Sequence, residues 1–147
     1  MNDEKAPFIW QRCSGFDAVE TAFGTFHGRD CIYLDEFCHD ETTGTVWLRG
    51  EVNGHLCRPP LSEQWAAYSL HFRSVIACEH TDLDAWTWRS NSCFDRVLGS
   101  AWLASFGDAI AATHAHFLVQ TYDDVYDIIA ERFDFQPGRR REQPPPK

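Results

Sequence analysis

His114 and His116 are the most metal-like pair in this chain. On a strand, residues two apart project to one face, so two imidazoles could chelate a single ion. Cys78-Glu79-His80 repeats the spacing, so two such pairs could assemble a four-ligand zinc site, to which Cys38-His39 and His71 could also contribute. Those spacings match no zinc signature, and a chain with 7 histidines often yields one such pair by chance. Satisfied or surface histidines are therefore the competing reading. A thiol mechanism would fall to Cys93, which follows Ser90-Asn91-Ser92 at an expected helix start, where the helix field lowers a thiol's pKa. Any histidine could act as its base, with Asp82 or Asp95 as orienting group, whereas a buried Cys93 packing beside Phe94 needs no partner at all. A metal-dependent or thiol hydrolase using His114, His116 and Cys93 is thus the alternative reading.

Carboxylates come in clusters: Asp35-Glu36, Asp40-Glu41, Asp82 with Asp84, and Asp123-Asp124 with Asp127. A glycosidase or a divalent-metal hydrolase would need two or three of them in one cleft. Spread over turns and strand ends, they fit solvated loop caps better, and together they make a negative surface able to dock a basic partner. The tryptophans extend that reading. Trp86 and Trp88 would share one strand face, and Trp47 alternates against Leu48, so an indole ringed by carboxylates would resemble a protein-binding hot spot. Most tryptophans in a domain of this size are core residues, and sugar stacking on the Trp86/Trp88 pair is a lesser possibility. The expected binding residues are Asp35, Glu36, Asp40, Trp47, Asp82, Asp84, Trp86, Trp88, Asp123 and Asp124.

Composition removes several mechanisms. The only lysines are Lys5 and Lys147, so Schiff-base chemistry, a phosphate-loop lysine and a lysine-activated serine have no amine to use. The 147 residues carry a net charge of -9, and the charge is uneven. Residues 1–136 hold 9 basic and 21 acidic side chains, for a net charge of -12, whereas 137–147 hold 4 basic and 1 acidic, for +3. A body that negative repels nucleic acid and anionic membrane surfaces and speeds encounter with cationic proteins. The acidic Met1-Asn2-Asp3-Glu4-Lys5 opening is unlike a secretory signal, which predicts a cytoplasmic protein with six free thiols.

The elements that would position these residues follow from pattern. Residues 1 to about 25 are too irregular for a helix or strand and predict a loop with at most one helical turn. From Phe26 an extended segment begins, with Cys31, Tyr33 and Phe37 on one side and Ile32 and Leu34 on the other. Asp40 to Gly44 supplies a turn, Thr45 to Val52 the partner strand, and Asn53-Gly54 its end. Cys57 to Glu63, with Pro59-Pro60, is a loop. Tyr68, Leu70 and Phe72 mark a third strand, and Ile76 to Leu83 a further extended stretch. Ser90-Asn91-Ser92 as a cap predicts one helix over Cys93 to Phe106, interrupted or ended at Gly99 or Gly107. His116–Thr121 and Val125–Ala130 read as two strands about a Tyr-Asp-Asp turn, with a helix from Asp123 as the alternative.

Phe26-His27-Gly28-Arg29-Asp30-Cys31-Ile32, entering a strand partnered by Val46-Trp47-Leu48-Arg49, resembles the opening of small bacterial immunity-type proteins. His116 to Val125, with Ile128-Ile129-Ala130, resembles the end of small uncharacterised bacterial α+β domains. Gly28-Arg29-Asp30 stands where such openings carry an acidic-alanine-acidic triplet, so no functional residue is carried over. The resemblance implies a cytosolic protein that neutralises a toxin by binding it. The expected fold is α+β: a mostly antiparallel sheet with one helix packed on it, a single domain over 1–136, and a disordered Arg/Pro-rich tail over 137–147. The expected function is a non-catalytic acidic protein-binding module with a basic protein partner, possessing no cofactor and engaging neither nucleic acid nor membrane.

Overall fold

Strict alternation of apolar and polar residues builds the first sheet. The computed structural model describes residues 12–82 and 92–138. Within it, β3 (Ile32–Asp40), β4 (Thr45–Asn53), β6 (Trp65–Arg73) and β11 (Arg132–Pro137) pair antiparallel in the order β11-β6-β4-β3. Val46, Leu48 and Val52 of β4 point inward with Tyr68, Leu70 and Phe72 of β6, while Trp47, Arg49, Glu51, Trp65, Ser69 and His71 occupy the outer face. The Asp40 carboxylate accepts the Thr42 amide at 3.0 Å, and Gly44 (φ 68°) closes the β3–β4 turn.

A second sheet has the order β1-β8-β9-β10-β7, formed by β1 (Gly15–Ala18), β8 (Phe94–Leu98), β9 (Ala115–Gln120), β10 (Asp124–Ala130) and β7 (Ala77–Asp82). Its inner residues Phe94, Phe117, Val119, Tyr126 and Ile128 meet the inner face of the first sheet. Phe72 and Phe117 approach to 5.3 Å between ring centroids, and Phe94 and Phe133 to 5.2 Å edge-on. The two short strands β2 (Thr25–Phe26) and β5 (Cys57–Arg58) pair separately. Val97, Leu118 and Val125 form a smaller cluster on the opposite face of the second sheet, against Cys13 and Phe16.

The molecule is thus two facing antiparallel sheets, which corrects the α+β expectation of a sheet with a packed helix. Helix is confined, among the described residues, to α1 (Ala101–Ala104), α2 (Asp108–Thr113) and a single 3-10 turn. The helix expected over Cys93 to Phe106 fails because Phe94–Leu98 is strand β8, with Phe94 and Val97 buried on opposite faces of a sheet covered on both sides. Burial on both faces erases period-2 alternation and leaves a mixed apolar run that reads equally well as helix. Residues 12–25 contain strand β1 rather than a helical turn, and Pro137, expected to begin the tail, is the last residue of β11, opposite Tyr68.

One further correction bears on the site. The expectation placed Tyr33 and Phe37 on one side of β3, but the register shifts between Leu34 and Glu36. The extra residue, Asp35, inverts the side-chain parity. Tyr33 therefore faces out opposite Glu51, while Phe37 lies opposite the inward Leu48 and stacks on Tyr126 at 4.6 Å. Glycine is required beside the bulge, since a Cβ at Gly50 would overlap the Tyr33 carbonyl.

Candidate binding surface

Aromatic residues gather on the outer face of the first sheet, on the Ile32 side of the bulge. Trp65, on the first residue of β6, and Tyr33 of β3 meet edge-to-face at 5.3 Å. The β9–β10 turn docks beside them, with the Tyr122 amide donating to the Ile32 carbonyl at 2.8 Å, so the Tyr122 ring stacks on Tyr33 at 5.1 Å and 16°. Arg29 completes the row: its guanidinium lies 5.1 Å from the Tyr122 ring centre, and its Nε donates to the Tyr122 carbonyl at 3.3 Å. Trp65 and Tyr122 are 45% and 38% exposed, a large aromatic area to leave in water.

Carboxylates surround this row. Desolvation chiefly, then Asp30, the neighbouring Tyr122 and Asp123, raise the Tyr33 phenol pKa above its ordinary value. Glu51 lies opposite Tyr33, and Glu51, Glu63 and Trp65 line a groove of about 880 Å³ that runs to Phe23, Pro137 and Gly138. The surface combines stacked π faces with negative charge, which favours a flat cation such as guanidinium over an anion.

The structure gathers only part of the expected site here. Asp123 joins the surface beside Tyr122. Asp35 is the exposed bulge residue, Glu36 pairs with Arg49 at 3.4 Å, and Asp40 caps its own turn. Trp47 lies under the Arg49 guanidinium at 4.2 Å and stacks on His71 at 6.4 Å. Asp82 and Asp124 face each other across β7 and β10, and Asp124 bonds His80 at 2.7 Å. Asp84, Trp86 and Trp88 lie outside the described residues. Trp65, Tyr33, Tyr122, Arg29, Asp30, Glu51 and Glu63 were missed. The one signal available for them was Trp65 at the head of an alternating strand.

The chemical pairs of the alternative reading are dispersed. His114 ends α2 and bonds the Thr113 hydroxyl at 2.8 Å, whereas His116 is buried on the far face of the second sheet. No three His, Cys, Asp or Glu side chains among the described residues are placed to hold a metal ion. Cys93 precedes a strand, not a helix. Its thiol donates to the Gly28 carbonyl at 2.9 Å, and burial, with Asp95 and Cys57 adding, pushes its pKa up to about 12, the reverse of an activated nucleophile.

Ser100, His116 and Asp127 nonetheless form a buried chain. The Ser100 hydroxyl and His116 Nδ1 are 2.7 Å apart, and His116 Nε2 and the Asp127 carboxylate 2.6 Å. Ser100 Oγ also accepts the Leu103 amide at 3.0 Å as the cap of α1, and Trp102 stands edge-on to the His116 ring at 5.1 Å. Ser100, His116 and Asp127 are all buried, exposed by no more than 7%. The relay anchors α1 to the sheet.

Two facing antiparallel sheets, one of them carrying an acidic, aromatic outer face, define a mostly antiparallel β fold. No family model, curated protein or solved structure matches the chain. No helix among the described residues is long and apolar enough to cross a membrane.

Proposed function

We propose that this protein is a non-catalytic binding module that engages a basic protein through the Trp65–Tyr33–Tyr122 surface. The observation that carries the reading is an exposed aromatic stack among Asp30, Glu51, Glu63 and Asp123, already holding one guanidinium, that of Arg29. Aromatic anchors supply contact area at low entropic cost, and surrounding carboxylates steer a cationic partner and favour its arginines. Neutralisation of a basic toxin, as in immunity-type proteins, is one form such binding would take.

A hepta-arginine peptide titrated against the protein by calorimetry tests the reading, with hepta-glutamate as control. Hot-spot truncation costs about 2 kcal/mol, so Trp65→Ala and Tyr122→Ala should each weaken hepta-arginine binding roughly 30-fold. Equal affinity of wild type and both variants, or equal binding of hepta-glutamate, would refute the proposal.

A further inference from the structure

A second pocket lies at the short β2–β5 ladder and shares no lining residue with the groove beside Trp65. Phe26 and Cys57 pair there and are both buried, so strand parity turns their neighbours Thr25, His27 and Arg58 to the opposite side. The Thr25 hydroxyl and His27 Nε2 lie 2.9 Å apart, and the His27 amide donates to the Leu56 carbonyl at 3.3 Å, carrying the ladder one residue further. Arg58 stands opposite Thr25 and therefore diagonal to His27. The 3-10 turn Gly54–Leu56 brings His55 to the same pocket, its amide donating to the Asn53 side chain at 3.1 Å. The cavity measures about 390 Å³, the size of a small-ligand site.

In so acidic a body the lining is unusual, because none of the described residues that form it is acidic. His27, His55 and Arg58 supply nitrogen donors, while Leu56 and Pro60 supply apolar surface. Desolvation first, then Arg58, hold the His27 imidazole below its ordinary pKa, with Asp95 of β8 acting in the opposite sense. A single anion between the imidazole and the guanidinium would relieve their repulsion. Three donor groups suit the three terminal oxygens of a phosphate better than the two of a carboxylate, and the apolar wall suits a carbon body.

We propose that the His27–His55–Arg58 pocket binds a phosphate monoester of a small apolar or aromatic group. Arg58 and the two imidazoles take the phosphate, and Leu56 and Pro60 take the carbon body. The site is independent of the surface proposed above for a basic partner. Binding carries a protonic signature: the anion favours the charged imidazole, so the titration midpoint of His27 rises in the complex.

The test titrates the full chain with phenyl phosphate and follows the His27 and His55 ring Hε1 resonances by NMR, assigned by His27→Gln and His55→Gln. Both resonances should move saturably, and the His27 midpoint should rise. Arg58→Gln, its thermal midpoint unchanged, should bind about 10-fold more weakly, as expected for one lost charge-assisted hydrogen bond. His55→Gln, a change to an exposed side chain, should weaken binding in the same direction. Phenol should move neither resonance, and inorganic phosphate should bind more weakly than its phenyl ester. Unmoved resonances at millimolar phenyl phosphate overturn the site. Equal shifts with phenol, or equal affinity in wild type, Arg58→Gln and His55→Gln, overturn the anion recognition. Equal affinity for inorganic phosphate overturns the assignment to a monoester.

Discussion

Replacing Ser100 with alanine separates an anchoring role for the buried relay from a chemical one. The hydroxyl does two jobs in the structure, accepting the Leu103 amide as the cap of α1 and bonding His116 Nδ1. Loss of a serine cap costs about 1 kcal/mol. Leaving the buried imidazole nitrogen without a partner costs about 1–3 kcal/mol more, because His116 is 1% exposed and water cannot replace the hydroxyl. The variant should therefore be destabilised by about 2–4 kcal/mol, a fall in thermal midpoint of roughly 5–15 °C for a chain of this size. Urea titration followed by tryptophan fluorescence reads this directly, since Trp102 stands edge-on to His116. Ser100→Gly should lose less, because glycine at the cap costs only a few tenths of a kcal/mol relative to serine. A serine serving chemistry instead of structure would cost almost nothing when removed. A shift below about 1 kcal/mol in Ser100→Ala would refute the anchor.

Two further outcomes follow from the buried thiols and from His71. At pH 8 Cys31, Cys57 and Cys93 should resist a disulfide reagent in the native state and react only on denaturation, since burial raises all three thiol pKa values; rapid native labelling of Cys93 by mass spectrometry would contradict the structure. Desolvation, then Arg73 and Arg49, hold the His71 imidazole below its ordinary pKa of 6.5. Its unfolded form therefore protonates first, so the stability it contributes is complete above the unfolded value and is lost as pH falls below it. Wild type should lose more stability than His71→Gln between pH 7.5 and pH 5, and parallel urea midpoints across that range would show the shift to be absent.

Local chemistry wrote part of this protein plainly. The alternation of Thr45–Val52, the Asp40–Gly44 turn and the Tyr68–Phe72 pattern were legible because each is enforced by a strand with one wet and one dry face. The hairpin of β9 and β10 was legible in its β-branched and aromatic content. The acidic body and the arginine cluster after Gly138 are likewise properties of the sequence alone. Tertiary structure decided the rest. A sheet covered on both faces turned Phe94–Leu98 from an expected helix into strand β8, because two-sided burial removes the period that tells the two apart. A single inserted residue at Asp35 turned Phe37 inward and left Tyr33, ahead of the bulge, on the outer face with Trp65 and Tyr122, a split no spacing rule announces. Packing alone brought Ser100, His116 and Asp127 into one chain and separated His114 from His116, because residues distant in sequence meet only where sheets and turns have already been placed.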